Sequence, residues 1–248
     1  MIELHKEEYP LLKKLFPDWH PYVEVPMIVN GRRGRAWVDR KDDPALGIIC
    51  KGEMCFLEGD GDPEMLIPVF SNEFSSFYGE INCSKRFGDI IFQWFDKVGE
   101  TSNMFFDHDG YSRDFPILPG VDLIEMDEIM FDRLNETGEN WLGSMFDDGK
   151  DFVNHSYGFA AIVDNRLVSA AVAFSIDGKR ANIGIGTSEP YRNQGYSTMC
   201  TAACVDRTLE RNLKPIWITS PDNIASQTVA LKNGFKPSFE FPSFWIGN

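Results

Sequence analysis

The sequence predicts an α/β protein, and three observations carry that prediction. Residues 158–187 read as three strands joined by tight turns. From Ser197 to the C-terminus helix, strand, helix and strand alternate. The first half has its own strand, hairpin and helix signals. With 248 residues, 43% of them hydrophobic, the chain can bury a sizeable core as one large domain or two smaller ones.

Taken in order, residues 1–16 read as a short helix ended by Pro17. The next stretch reads as strands, with Ala36-Trp37-Val38-Asp39 followed by the turn signal Asp42-Asp43-Pro44. Ala45–Cys50 and Met54–Leu57 flank Lys51-Gly52-Glu53 and predict a hairpin. Asp62-Pro63-Glu64 is a helix start, with Asp as cap and Pro in the first turn. Phe87–Val98 reads as helix, with Phe92, Trp94 and Phe95 expected in the core. Two prolines and a glycine in residues 114–120 mark a boundary, giving an N-terminal lobe over 1–115 and a second domain over 116–248. The second begins with a strand, Val121–Met126, and a helical region from Asp127 to about Val153.

Strands follow at Gly158–Val163, Leu167–Ile176 and Ala181–Thr187, turned by Asp164-Asn165-Arg166 and Asp177-Gly178. A helix from Ser197 to Leu213, a strand at Pro215–Thr219 and a helix from Ile224 to Asn233, capped by Gly234, come next. Phe235–Ile246 closes the chain as a strand or strand pair.

The net charge of −14 argues against nucleic acid and anionic lipid as partners and suits a cationic one. The five cysteines are odd in number and show no CxxC, which suggests neither a disulfide framework nor a zinc ribbon. Cys200 and Cys204 read as small core residues. The charged N-terminus does not resemble a signal peptide, and no apolar run approaches the length of a membrane span. A cytoplasmic location is expected. His5, His20, His108 and His155 are isolated and lack metal-ligand spacing, so no metal is expected, and Asp107-His108-Asp109-Gly110 reads as a turn.

Chemistry concentrates in residues 187–198, Thr-Ser-Glu-Pro-Tyr-Arg-Asn-Gln-Gly-Tyr-Ser-Thr, between a strand and a helix. Backbone N–H groups at that helix start, with the helix dipole, form an anion site suited to a pyrophosphate. Gly195 admits close backbone approach, Ser197 and Thr198 can cap or add a hydroxyl contact, and Arg192 can add a charge-assisted bond. A loop that merely connects two elements is the competing reading.

Arg192-x-x-Gly195-x-Ser197 resembles the [Arg/Gln]-x-x-Gly-x-[Gly/Ala] signature of the GCN5-related N-acetyltransferase (GNAT) family. Asn223-Ile224-Ala225-Ser226, leading to Lys232-Asn233-Gly234-Phe235, resembles that family's Asn-x-x-[Ala/Ser]…Lys-x-Gly-Phe ending. The resemblance covers residues 121–248, and the Trp217 strand with the Asn-x-x-Ser helix start looks most like the zwittermicin A resistance-type branch. It implies a mixed central sheet flanked by helices. It also implies acetyl-CoA as cosubstrate, a small amine as acceptor, and direct attack in a ternary complex.

On this resemblance, the strand carrying Ile185 and Thr187 splays from the next one and pairs with the pantetheine arm through its main chain. Amides of Asn193, Gln194, Gly195, Tyr196, Ser197 and Thr198 hold the pyrophosphate, helped by Arg192. Asn223 and Ser226 touch the pantetheine or adenosine side, and an amide near Ile185 polarises the thioester carbonyl. Ala230 stands where many members carry a tyrosine acid. Glu189 and Tyr196 are therefore the candidate catalytic groups, against the alternatives of a solvated carboxylate and a packing ring.

Gly31-Arg32-Arg33-Gly34-Arg35 is the basic cluster, either a solvated turn or a grip on the 3′-phosphate of CoA. Residues 1–115 loosely resemble half of the same fold without its glycine signature and are expected to form a degenerate lobe. The rival function is a non-catalytic module that binds CoA or acetyl-CoA. The chain is expected to be a monomer or homodimer.

Overall fold

The computed structural model describes residues 1–31, 33–74 and 77–247. They form two compact units, Met1–Asn103 with Glu240–Asn248 and Met104–Phe239. The packing thus divides the chain ahead of residues 114–120 and gives the last residues to the first unit.

The first unit runs β1 (Ile2–Glu3), α1 (Glu24–Gly31), β2 (Arg35–Val38), β3 (Leu46–Lys51), β4 (Met54–Gly59), α2 (Ile67–Glu73), β5 (Gly79–Cys83) and α3 (Gly88–Trp94). β1 to β4 pair antiparallel in sequence order, and β5 joins β4 in parallel. Its core is built from Leu46, Ile48, Leu57, Phe70, Phe87, Ile91 and Phe244.

β6 (Val98–His108) leads into the second unit, which continues with β7 (Asp122–Glu125), α4 (Glu128–Asp132), α5 (Gly149–His155), β8 (Gly158–Val163), β9 (Arg166–Ile176) and β10 (Arg180–Thr187). Then come α6 (Tyr196–Glu210), β11 (Lys214–Thr219), α7 (Ile224–Lys232) and β12 (Phe235–Ile246). β7 to β10 pair antiparallel, and β11 joins β10 in parallel. Trp217, Phe235, Ile183, Met199, Cys200 and Cys204 belong to one buried cluster here. Both units are mixed sheets with helices, in one shared order of elements: four antiparallel strands, a helix, a parallel fifth strand and another helix. Each is completed by a strand from the other half of the chain. Ser243–Ile246 of β12 pairs with β5 in the first unit, and Met104–Asp107 of β6 pairs with β11 in the second.

Several elements differ from the sequence reading, each for a physical reason. Residues 6–14 form a 3-10 helix rather than an α-helix, with Pro10 inside it. α1 replaces expected strand; Glu24, Val25, Pro26, Ile28 and Val29 are all buried, so no clean polar face writes a helical period. The helical region 127–153 is broken into α4, two 3-10 turns and α5, with Gly138 left-handed at φ 78°. Phe92 is half exposed, because α3 buries Ile90 and Ile91 instead.

Cys50 and Cys55 are disulfide-bonded, against the expectation of no disulfide. Composition cannot show this pairing; the β3–β4 register sets the two residues directly opposite, with Cα atoms 4.2 Å apart. Cys200 and Cys204 are fully buried. Arg32 lies outside the described residues. Arg35 lies in β2 and is held by Glu3 at 2.8 and 3.0 Å and by Glu73 at 2.6 Å. His108 is buried against the Asn233 carbonyl at 2.9 Å, and desolvation holds its pKa below the usual imidazole value. Among the described residues no three His, Cys, Asp or Glu side chains group as metal ligands, and no helix is long and apolar enough to cross a membrane.

Candidate functional site

β10 is paired along its length on one side and along only part of it on the other. With β9 the ladder runs to Thr187↔Ser169, whereas with β11 it covers only Arg180, Ala181 and Asn182 opposite Lys214, Pro215 and Ile216. Beyond that point β11 turns to β6, from Ile216↔Asp107 to Thr219↔Met104. An irregularity in the β9 ladder between Asn182 and Ile183 falls where the two strands part, as bulges do when they bend a strand.

Side matters here. The Ser188 N–H donates to the Val168 carbonyl on β9 at 2.9 Å. Main-chain groups alternate along a strand, so Gly184 and Gly186 face β9, while Ile185 and Thr187 face the gap. Of these, the Thr187 carbonyl is already taken by Arg192 Nε at 3.1 Å. Its side chain bonds to Ser169 Oγ at 2.8 Å.

The loop after β10 reverses through left-handed backbone at Asn193 (φ 62°) and Gly195 (φ 93°) and enters α6 at Tyr196. The first bond of α6 runs from the Met199 N–H to the Gly195 carbonyl at 3.1 Å. The amides of Tyr196, Ser197 and Thr198 therefore lack helical acceptors, and no side chain caps them. Arg192, Asn193, Gln194 and Gly195 are exposed, and a Cβ on Gly195 would meet only Leu118 Cδ1 at 3.7 Å. The start of this 15-residue helix is thus open at Gly195, with Tyr196 and Ser197 half-buried and the Thr198 side chain buried, at the positive end of its dipole.

Other predicted residues are partly spoken for. Arg192 reaches Glu139 Oε1 at 3.4 Å, and Gln194 Nε2 donates to the Pro190 carbonyl at 3.0 Å. Asn223 caps α7, accepting the Ser226 N–H at 3.1 Å. Ser226 Oγ accepts from Trp217 Nε1 at 3.0 Å. Glu189 is exposed in a 3-10 turn. Tyr196 packs edge-on against Tyr191 at 6.0 Å, and both rings rest on the core. Ala230 is fully buried.

The sequence reading missed the residues that cover β10. A Cβ on Gly184 would stand 2.6 Å from Trp141 Cη2, and one on Gly186 would stand 2.9 Å from Glu139 Cβ. A Cβ at either position would force these side chains to shift, so the Gly-x-Gly of the strand leaves room for the side chains of the 139–142 turn. That pair of glycines was the available signal.

A profile of the GNAT acetyltransferase family matches residues 13–244. An uncharacterized N-acetyltransferase, YdfB, of Bacillus subtilis (strain 168) is 22% identical over 99% of this chain and 98% of its own. A GCN5-related N-acetyltransferase-like protein from Streptococcus suis 89/1591 has a similar fold (TM-score 0.80, 20% identity), covering 96% of this chain and 98% of that one. So does a tandem GNAT protein from the clavulanic acid biosynthesis pathway, with TM-score 0.63 and 10% identity over 98% of this chain and 96% of that one. Enzymes of this fold use acetyl-CoA and an acceptor. The chain belongs to the GNAT acetyltransferase family.

Proposed function

We propose that the protein transfers an acetyl group from acetyl-CoA to a primary amine of a small molecule, by direct attack in a ternary complex in its second unit. The observation that carries this is the parting of β10 from β11 beside the open amides of α6. Acetyl-CoA would supply the acetyl group as a thioester. The amides of Gly195 to Thr198 would hold its pyrophosphate, with Arg192 beside them. The main chain of Ile185 and the Thr187 N–H would hold the pantetheine arm, and the Ile185 amide would stabilise the developing oxyanion. Asn223 and Ser226 would sit on the pantetheine or adenosine side while keeping their roles in α7. Glu189 and Tyr196 remain the candidate acid–base groups, because Ala230 supplies no hydroxyl. Trp217 and the Asn223-x-x-Ser226 helix start support the zwittermicin A resistance-type branch.

The first unit would be a lobe without acetyl-CoA. Where the second unit has free amides, Asp62 places a carboxylate on the Glu64 N–H at 3.0 Å. Arg86 fills the loop before it, donating to the carbonyls of Gly59, Asp60 and Gly61. A pyrophosphate there would meet the Asp62 carboxylate and have to draw Arg86 off the three carbonyls it holds.

Incubation with acetyl-CoA and a panel of primary amines is expected to release free thiol in step with amine concentration. Binding of acetyl-CoA with no amine-dependent release would instead favour a sensor.

A further inference from the structure

Given acetyl transfer to an amine at the unpaired stretch of β10, we propose that Glu139 and Trp141 form a subsite for a second cationic centre on the acceptor. The substrate class is then a diamine or polyamine. The two side chains lie on the same face of β10, over Gly186 and Gly184, on either side of Ile185. A cation held there is therefore next to the stretch where the acyl group would be presented.

A cation held at Glu139 is distinct from the nitrogen that reacts. An amine attacks through its unprotonated nitrogen, so the reacting group is not a cation when it reacts. A carboxylate beside an indole recognises a cation. Glu139 Oε2 accepts from Trp141 Nε1 at 3.0 Å, and Oε1 accepts from Arg192 Nη2 at 3.4 Å. A carboxylate offers about four acceptor positions, so two remain for an ammonium group.

Both side chains are reachable, with Glu139 32% and Trp141 37% exposed. Leu142, fully buried, covers the same two glycines, 3.0 Å from the Cβ position at Gly184 and 2.9 Å from that at Gly186. Trp141 is further fixed edge-on against Phe174 at 5.5 Å. The long Arg192 contact is an exposed pair of small worth. An ammonium displaces it at little cost.

The test is calorimetric titration of the CoA-loaded full chain with putrescine and with butylamine. Wild type is expected to bind the diamine about tenfold more tightly, the worth of one charged hydrogen bond. Glu139→Gln should remove that preference, and Trp141→Leu should weaken putrescine about threefold through loss of the ring contact, with the fold checked by circular dichroism. CoA affinity should persist in both variants. Equal affinity for the two amines in wild type, or a diamine preference surviving in Glu139→Gln, overturns the subsite while leaving acetyl transfer intact. Failure of CoA to bind wild type overturns both.

Discussion

Gly195→Trp is expected to raise the Kd for acetyl-CoA at least ~100-fold while the protein stays folded, because it removes several backbone and dipole contacts together. Two effects combine. Gly195 sits at φ 93°, where a side chain costs about 1–2 kcal/mol. The indole would also cover the amides of Tyr196 to Thr198, which no cap protects. The fold survives because the space outside Gly195 is open and the core of α6, Met199, Cys200 and Cys204, is untouched. Gly195→Ala separates the two effects, since it adds strain without bulk and should cost only a small part of the affinity. Calorimetry measures the binding and circular dichroism the fold; unchanged affinity in Gly195→Trp would remove the cradle.

Trp217→Ala is expected to cost about 3–5 kcal/mol of stability, the range for deleting a buried aromatic. Trp217 is 1% exposed, packs on Phe235 with ring centroids 5.5 Å apart, and ties β11 to α7 through Ser226. Its loss opens a cavity beneath the helix that begins at Ile224. Trp217→Phe fills most of the volume and removes only the indole donor, so it should cost about 1–2 kcal/mol. Urea denaturation reads both variants. A midpoint for Trp217→Ala equal to that of wild type would show that the β11–α7 layer contributes little to folding.

Residues 158–246 were legible because their elements announce themselves locally. Asp164-Asn165 and Asp177-Gly178 turn the meander at left-handed positions, and Asn223 and Gly234 bound α7. The first half was harder. α1 buries Glu24, Val25, Pro26, Ile28 and Val29, so its apolar residues write no clean period, and after Val98 β6 carries the polar run Gly99-Glu100-Thr101-Ser102. The exchange of terminal strands between the units, and the Cys50–Cys55 pair, depend on register and not on local sequence. The anion loop was readable because helix starts are local. Glu139 was not, since only the fold brings it to Gly186.

The most direct test of the central claim is the stoichiometry of acetyl-CoA binding to the full chain by calorimetry. The open start of α6 beside the parted β10–β11 pair predicts one acetyl-CoA per chain, lost in Gly195→Trp. Two bound per chain would contradict the closed loop at Asp62 and Arg86, and none would contradict the assignment of β10 and α6 as the acetyl-CoA site.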